Sequence, residues 1–316
     1  MSSTTGPATD GHPFHHVALV YHTAADYVAG TVSFVRSALS RGSPVLVVVP
    51  PDNLDLIRTA LGDDTRRVSF ADMTVVGRNP AALLSGVVSD FVAAHPGQRT
   101  AIIGEPVWPE RTEVEYPACV AHEALANTVL TGCDLEALCP YDARRLDTRI
   151  VADAYRTHPL LEQRGKRRRS TAYTDPLALV DEFNLPLPPP PADAAVLDYT
   201  DRSALPRVRL FVSRQAEAAG LAEERVREVV VAANELASNT VEHTAEGGRV
   251  VVWTDPGVLV CQVEDTGYLP DPLVGRLRPD VTRSRGRGLL FVNQLGDLVR
   301  VHTRPGYTGF RLHFLL

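Results

Sequence analysis

The stretch Asn234-Glu235-Leu236-Ala237-Ser238-Asn239-Thr240-Val241-Glu242-His243 decides how the second half of the chain folds. From Val226 onward, apolar residues recur three and four positions apart, which predicts an amphipathic helix with one buried stripe. Glu235 and Asn239 lie four positions apart, so they share one face of that helix. A carboxylate and an amide oxygen on one face suit Mg²⁺ coordination and proton abstraction from an attacking oxygen. Taken alone, the same spacing is more typical of an ordinary solvated helix face.

Two further motifs follow this helix. An apolar strand ends at Val263-Glu264-Asp265-Thr266-Gly267, where a carboxylate beside a glycine can accept a proton from the adenine amino group. The segment Ser284-Arg285-Gly286-Arg287-Gly288-Leu289 then precedes an apolar helix, whose first N–H groups suit phosphate. Taken singly, the first motif is also a simple turn and the second a flexible loop.

The order of the motifs carries more information than any one of them. It runs Glu-x₃-Asn on a helix, a hairpin, Asp-x-Gly, Gly-x-Gly-Leu and two last strands. This order resembles the GHKL (Bergerat) ATPase family over residues 197–316, and the helix is most similar to anti-sigma regulatory factors that act as serine kinases. The resemblance implies an α/β sandwich, with helices on one face of a mixed, mostly antiparallel sheet.

The resemblance also implies cofactors, partners and residue roles. The cofactors are ATP and Mg²⁺, and the partners are an anti-anti-sigma (STAS) protein, a sigma factor, or both. Glu235 corresponds to the catalytic base and Asn239 to the Mg²⁺ ligand. The residues implied in cofactor binding are Asn239, Asp265, Gly267, Arg285, Gly286, Gly288 and Thr308.

Two positions depart from the family pattern. Leu269 stands where the first glycine motif usually has a second glycine, and Ser284 stands where the second often has a further one. These departures predict weaker nucleotide binding or turnover. They leave open the alternative of a non-catalytic, nucleotide-dependent module that works by binding its partner.

A sensor histidine kinase is another alternative, since such kinases share the ATPase domain. They carry the phosphoacceptor histidine on a dimerising helix hairpin just upstream, where this chain has a run of prolines. His122-Glu123-Ala124-Leu125 superficially resembles an acceptor sequence, but it lies within the strand and helix pattern of the first half. The sequence leaves open whether the chain forms a homodimer.

The basic residues exclude other ATP-dependent folds. Lys166 is the only lysine, and it lies in Arg164-Gly165-Lys166-Arg167-Arg168-Arg169, which is interpreted as a basic loop. A P-loop NTPase needs a lysine within GxxxxGK[ST], and a eukaryotic-type protein kinase needs one on a strand, followed by HRD and DFG. A formal net charge of −6 also gives no general attraction to nucleic acid.

Proline content marks the domain boundary. Residues 1–13 are polar and predicted to be a disordered lead-in, without the basic start and apolar stretch of a signal peptide. Residues 184–196 include four consecutive prolines and are predicted to be a semi-rigid linker. The linker separates a first domain at 14–183 from the ATPase-like domain at 197–316. No apolar run is long enough to cross a bilayer, which favours a cytoplasmic protein.

The first domain alternates apolar runs with amphipathic stretches, which predicts a doubly wound, mostly parallel sheet in an α/β fold. Its predicted strands are Val17–Tyr21, Val45–Val49, Arg67–Phe70, Thr100–Ile103 and Leu135–Leu138. The predicted helices lie near Ala25–Ser40, Leu54–Leu61, Pro80–Ala94 and Tyr116–Leu130, with another after Asp147.

Several stretches of this domain resemble the MEDS sensory family. They are His15-His16-Val17-Ala18-Leu19-Val20-Tyr21, Gly42-Ser43-Pro44-Val45-Leu46-Val47, Gly77-Arg78-Asn79-Pro80, Ile103-Gly104-Glu105-Pro106-Val107-Trp108 and Leu138-Cys139-Pro140-Tyr141-Asp142. The resemblance implies the sensing of a small-molecule ligand. Doubly wound sheets bind ligands beyond the carboxyl ends of their strands. The candidate sensory pocket is therefore Asp72, Glu105, Trp108, Tyr141 and Asp142, although the aromatic residues are equally typical of core anchors.

The cysteines form no standard zinc pattern. Cys119 and His122 share a helix face, and together with Glu123, Cys133 and Cys139 they are a weak candidate for a metal or redox site. Single buried cysteines more often act as small hydrophobic side chains.

Overall fold

The computed structural model describes residues 14–277 and 287–316. The predicted lead-in at 1–13 and the predicted ATP-contacting residues Arg285 and Gly286 lie outside these ranges. The described residues form two compact units. The first unit comprises residues 14–73, 92–109 and 126–173, and the second comprises 74–91, 110–125 and the described residues from 174 onward. The predicted boundary at 184–196 stays a prediction, because these units do not follow the order of the chain.

The first unit is built on a sheet that runs β3-β2-β4-β5-β1-β6-β7, seven strands among the described residues. All neighbours pair in parallel except β6 and β7. The predicted doubly wound fold is therefore confirmed. The strands are β1 His15–Tyr21, β2 Val45–Val49, β3 Val68–Asp72, β4 Thr100–Gly104, β5 Leu135–Asp142, β6 Leu160–Gln163 and β7 Lys166–Arg169.

The described helices before the proline run are α1 Ala24–Ser40, α2 Pro51–Leu61, α3 Met73–Val76, α4 Pro80–Leu83, α5 Ser89–Ala93, α6 Tyr116–Val129, α7 Thr148–Thr157 and α8 Pro176–Glu182. Among them, α1, α2, α6 and α7 lie close to the predicted positions, whereas α3 and α8 were not predicted. The predicted helix over Pro80–Ala94 is divided, since a π-helical turn at Leu84–Val88 separates α4 from α5. Two short 3₁₀ segments occur at Gly62–Arg67 and Arg202–Ala204.

One face of the parallel sheet packs against α1 and α2. Strand β2 is buried along its whole length, as expected for a central parallel strand with both faces covered. The Thr23 side chain caps α1 by accepting a hydrogen bond from Asp26 N, and Tyr27 and Val35 of this helix reach the core.

The interpretation of the segment around Lys166 as a loop is wrong. The residues form β7, which pairs antiparallel with β6 across a turn in which Arg164 and Gly165 adopt positive φ. Arg167 is held by Glu136 at 2.7 Å and by Glu162 at 3.1 Å, so carboxylates neutralise part of the basic run. A strand of four exposed basic residues at a sheet edge also discourages further strand pairing.

The second unit contains a sheet in the order β11-β12-β10-β9-β8, with every neighbouring pair antiparallel among the described residues. The strands are β8 Ala195–Tyr199, β9 Gly248–Asp255, β10 Val258–Asp265, β11 Leu298–Arg304 and β12 Tyr307–Leu315. The later helices are α9 Leu205–Ala218, α10 Glu223–His243 and α11 Gly288–Leu295. These helices share a hydrophobic core with alternate strand residues, which confirms the predicted sandwich.

The other face of this sheet carries polar residues that are nonetheless buried. Gln262, Arg300 and Arg311 lie there, and burial lowers the pKa of both arginines from their usual range. Arg300 donates to the carbonyl of Val114, and Arg311 donates to the carbonyl of Pro188. The face is therefore covered by backbone from residues 110–125 and from the proline run.

The predicted linker is attached to the second unit rather than free of it. Asn184 donates to the carbonyl of Thr303 at 2.7 Å and accepts from the N–H of the same residue at 3.0 Å. The last residues of the predicted linker also begin β8, which pairs with β9. Consecutive prolines lack N–H groups, so only the flanking residues could join the sheet.

Within the second unit, Asn79 joins residues 74–91 to the later elements. Its side chain caps α4, accepts a hydrogen bond from Val299 N at 3.3 Å, and donates to the carbonyl of Asn293 at 2.6 Å. Arg78 pairs with Asp297 at 3.0 Å. A buried amide that satisfies α11 and β11 together ties this early segment to the last two elements before β12.

No helix in the described ranges is both long enough and apolar enough to cross a membrane.

Candidate functional site

A cavity of about 670 Å³ lies in the second unit between α10, α11 and the ends of β10 and β12. It brings together six of the residues that the sequence predicts for nucleotide chemistry. These residues are Glu235, Asn239, Asp265, Gly267, Gly288 and Thr308. Residues far apart in sequence thus line one open space, although their individual roles stay predictions.

Helix α10 presents Glu235 and Asn239 to this cavity. Val229, Ala233 and Leu236 are buried on the opposite stripe of the helix and hold it against the sheet. Glu235 and Asn239 are half-buried, so both are accessible from the cavity and shielded from bulk water on one side. The arrangement can hold a cation with the amide oxygen and accept a proton with the carboxylate.

Asp265, the last residue of β10, is held from two sides. Its Oδ2 accepts a hydrogen bond from the Thr240 hydroxyl at 2.7 Å, and its Oδ1 accepts from Gly267 N at 2.8 Å. A side chain at Gly267 would bring its Cβ to 2.9 Å from Asp265 Oδ1, so the glycine keeps this turn tight. A carboxylate has about four acceptor positions, so Asp265 retains capacity for a donor in the cavity.

Thr308 lies directly opposite Asp265 in the β10–β12 ladder. Its hydroxyl is 2.8 Å from the hydroxyl of Thr303, which also accepts a hydrogen bond from Leu269 N at 2.9 Å. The backbone at Leu269, where the family pattern has glycine, is therefore fixed by the sheet. Thr308 and Asp265 together present a hydroxyl and a carboxylate at one end of the cavity.

Gly288 begins α11 and approaches α10 closely. A Cβ at this position would lie 2.6 Å from Glu235 Oε2, which is too short for any ordinary contact. Arg287 precedes the helix without a side-chain cap, and Arg287, Gly288 and Leu289 all line the cavity, so the uncapped first turn of α11 borders it. Such a helix start suits an anion.

The sequence motifs gave no role to two residues that shape the cavity. Thr240 orients the Asp265 carboxylate, and Thr303 links Leu269 to Thr308. The sequence could have indicated Thr240, since it lies four positions after Leu236 on the same helix, at the edge of the buried stripe. The position of Thr303 relative to its partners depends on the register between strands, which the local sequence does not indicate.

The five predicted sensory residues do not share one side of the first sheet. Glu105 follows β4 and is buried towards α1 and α2, where it accepts hydrogen bonds from Tyr27 at 3.3 Å and from Asn53 at 2.8 Å. Tyr141 packs edge-on against His158, 5.6 Å between ring centroids, on the other face. The predicted pocket therefore divides between two faces and stays a prediction.

The remaining members of that set are more peripheral. Asp142 accepts hydrogen bonds from the backbone of Arg144 and Arg145, which forms a turn after β5. Asp72 ends the edge strand β3, and Trp108 is half-buried in the segment after β4.

Comparison with known families assigns the sandwich to a class of ATPase-like domain. Residues 200–314 match the family model described as a histidine kinase-like ATPase domain. Residues 15–159 match the model described as MEDS, the methanogen/methylotroph, DcmR sensory domain. Both predicted resemblances are confirmed: the chain carries a MEDS domain followed by a histidine kinase-like ATPase domain.

Comparison with individual proteins adds little to this assignment. No curated protein matches the chain. One solved structure that matches is "The crystal structure of the RsbU and RsbW domains of Rv1364c from Mycobacterium tuberculosis", at 20% identity and a TM-score of 0.31. The match covers 40% of this chain and 33% of that one.

Proposed function

We propose that this protein is a signalling regulator whose ATPase-like domain binds Mg²⁺-ATP and phosphorylates a serine on an anti-anti-sigma (STAS) partner, binds a sigma factor, or does both. The observation that carries the proposal is the single cavity lined by Glu235, Asn239, Asp265 and Gly288. Glu235 and Asn239 share one face of α10, and Asp265 and Gly288 come from the two glycine motifs that follow this helix.

The residues present fit a nucleotide and a cation. Asp265 would accept the adenine amino group, with Thr308 beside it. The amides at Gly288 and the Arg287 guanidinium would hold phosphate, and the absence of a Cβ at Gly288 leaves that approach open. Asn239 would supply an oxygen ligand to Mg²⁺. When bound, ATP supplies the phosphoryl group that is transferred.

Glu235 would hold the proton released by the attacking serine hydroxyl. Its carboxylate lies at the start of α11, where the first-turn amides also favour negative charge. Phosphoryl transfer depends mainly on positioning and on charge stabilisation, and a carboxylate fixed on a long helix provides both.

The MEDS domain would regulate this cavity in response to a small-molecule ligand. Support comes from Asn79, which lies within the MEDS match and donates to Asn293 of α11. Asn293 in turn donates to the carbonyl of Gly275 at 2.9 Å, and Gly275 packs against Leu289 of the cavity wall. A shift of Asn79 would therefore reach Asn293 of α11 and, through it, Gly275 beside Leu289.

The sensor histidine kinase alternative receives less support. His122, the residue of the acceptor-like sequence, has an exposed fraction of only 8% on α6. A phosphoacceptor must enter the active site of a kinase domain, which a buried side chain on a helix does not readily do. The non-catalytic binding module stays an alternative outcome of the following experiment.

The experiment measures nucleotide affinity and phosphotransfer on the same preparations of full-length protein. Radiolabelled ATP with Mg²⁺ and a panel of purified STAS proteins should give a labelled serine. Glu235→Gln keeps the shape of the side chain but cannot accept the proton, so we expect normal ATP affinity and transfer slowed by about 10²–10⁴-fold.

Glu224→Gln is the matched control, because Glu224 is an exposed residue in the first turn of the same helix. It should leave both measurements unchanged. If Glu235→Gln transfers phosphate at the wild-type rate, Glu235 is not the catalytic base. ATP binding without any labelled acceptor would support the non-catalytic module, and no ATP binding at millimolar nucleotide would overturn the proposal.

A further inference from the structure

Three buried side chains with metal-ligating atoms meet on one face of the parallel sheet. They are His16 of β1, Cys139 of β5 and His158, which follows α7, with exposed fractions of 1%, 6% and 0%. Their ligand atoms lie within 4.8 Å of one another. His16 Nε2 is 3.4 Å from Cys139 Sγ, and the two imidazole centroids are 4.0 Å apart. The sequence-based candidate around Cys119 and His122 did not include either histidine.

Strand register explains how the first two residues meet. In the parallel β1–β5 pair, His16 lies opposite Ala137 and Ala18 lies opposite Cys139. Paired residues of neighbouring strands point to the same face, so His16 and Cys139 share one face while Leu138 joins the core on the other. His158 then comes to this face at the end of α7.

The ring of His158 is oriented by backbone. Its Nδ1 lies 2.9 Å from the carbonyl oxygen of Ala154. A carbonyl oxygen can only accept, so Nδ1 carries the proton and Nε2 carries the lone pair. Metal-binding histidines are commonly fixed in this way through their other nitrogen.

His16 is oriented by the same logic through a side chain. Its Nδ1 lies 3.1 Å from Asn127 Oδ1, and Asn127 Nδ2 donates to the carbonyl of Thr157 at 2.8 Å. Because the amide nitrogen is used by that carbonyl, Oδ1 is the atom that accepts from His16. The Nε2 lone pair of His16 therefore points towards Cys139 Sγ.

We propose that His16, Cys139 and His158 form a binding site for a divalent transition-metal ion such as Zn²⁺ within the MEDS domain. Two neutral imidazoles and a thiolate are a donor set that Zn²⁺ prefers. On binding, the Cys139 thiol loses its proton to solvent and its sulfur forms a bond to the metal, while each Nε2 donates its lone pair. The site is independent of the nucleotide cavity and of the kinase proposal.

The test uses the full-length protein, freed of metal by a chelator and titrated with Zn²⁺ alone. We expect one ion per chain, with release of a proton that appears as a buffer-dependent heat in calorimetry. X-ray absorption should show nitrogen ligands at about 2.0–2.1 Å and one sulfur at about 2.3 Å. Cys139→Ser should remove the sulfur contribution.

Further variants distinguish the loss of a metal ligand from the loss of the fold. His158→Gln and His16→Gln should each weaken Zn²⁺ binding by at least about tenfold, and Asn127→Ala, which removes the acceptor for the His16 ring, by about 10–100-fold. Cys261→Ser is the matched control, because Cys261 is also a buried strand cysteine, in which burial raises the pKa to about 12. It should bind Zn²⁺ as the wild type does.

Circular dichroism on each variant would establish that the fold is retained. Sub-stoichiometric binding to the wild type, a metal shell without sulfur, or equal affinity in the Cys139→Ser, His158→Gln double variant would each overturn the proposal.

Discussion

The two candidate sites of this protein differ in their exposure to solvent. The nucleotide cavity is open, and its polar residues Glu235 and Asn239 are half-exposed on a helix that one stripe of apolar residues anchors. The cluster of His16, Cys139 and His158 is closed, with each side chain almost fully buried. An open site allows rapid exchange of a large ligand, whereas a closed one favours retention of a small ion.

A third histidine shows that burial alone does not make a ligand site. His313 lies on β12, where burial and the neighbouring Arg311 and Arg300 lower its pKa to about 4. Within the described ranges its Nε2 has no hydrogen-bond partner. It is a neutral, half-buried residue beside cations that would repel a metal, whereas the cluster histidines have an acceptor at Nδ1 and a thiol nearby.

The largest effect on the open site is expected from Gly288→Ala. The new Cβ would lie 2.6 Å from Glu235 Oε2 and would force the carboxylate or α11 to move. A displacement of about 1 Å at a catalytic group can lower the rate by about 10²-fold. Phosphotransfer by the full-length variant measures the effect.

Gly104→Ala is the control for that substitution, because a Cβ there meets no atom within 4 Å. If Gly288→Ala transfers phosphate as fast as the control, Glu235 is not positioned by this contact.

A smaller effect is expected from Asp265→Asn. The substitution replaces one acceptor oxygen with a donor, which disturbs the bonds to the Gly267 N–H and the Thr240 hydroxyl and removes the carboxylate from its proposed role as acceptor for the adenine amino group. Leaving the adenine amino group without an acceptor costs about 1–3 kcal/mol of binding free energy, so ATP should bind roughly 5–150-fold more weakly. Calorimetry with ATP measures this, and Zn²⁺ binding by the same protein should not change.

Asp255→Asn, at the far end of β9, serves as the comparison. An unchanged ATP affinity in Asp265→Asn would place adenine elsewhere in the cavity.

The smallest effect is expected from Asn79→Ala, which tests whether the open site depends on the early part of the chain. The variant leaves Val299 N without its side-chain acceptor and removes the bond to Asn293. We expect a loss of about 1–3 kcal/mol in the free energy of unfolding, together with weaker ATP binding. Chemical denaturation with and without ATP measures both.

Asn234→Ala is the matched control, since Asn234 makes an exposed contact with Arg209. If the Asn79→Ala protein is destabilised but binds ATP with normal affinity, Asn79 has only a structural role.

Most of the open site could be predicted because its residues occur in continuous motifs. Glu235 and Asn239 are fixed by helical spacing, and Asp265 and Gly267 are adjacent at the end of a strand. Arg285 and Gly286 lie outside the described residues, so their part of the prediction is untested. The two fold classes were predicted for a similar reason, since alternation and hairpin patterns are local properties.

The closed site could not be predicted in the same way. His16, Cys139 and His158 are separated by more than a hundred positions or by a helix, and they meet only through the register of β1 and β5. The β6–β7 hairpin was missed because a run of basic residues has no apolar alternation. Its strand geometry comes from carboxylates such as Glu136, which lies on another strand.

The hydrogen bonds of Asn79 limit how freely the protein can be recombined. A chimera that joined a different sensor at residue 184 would carry α11 and β11 without the amide that satisfies Val299 and Asn293. The exchangeable module therefore includes residues 74–91 and 110–125 together with the ATPase-like sequence. Modularity in this protein follows the grouping of its residues in space, and a graft designed from the order of the chain alone would leave polar groups of the ATPase-like domain without partners.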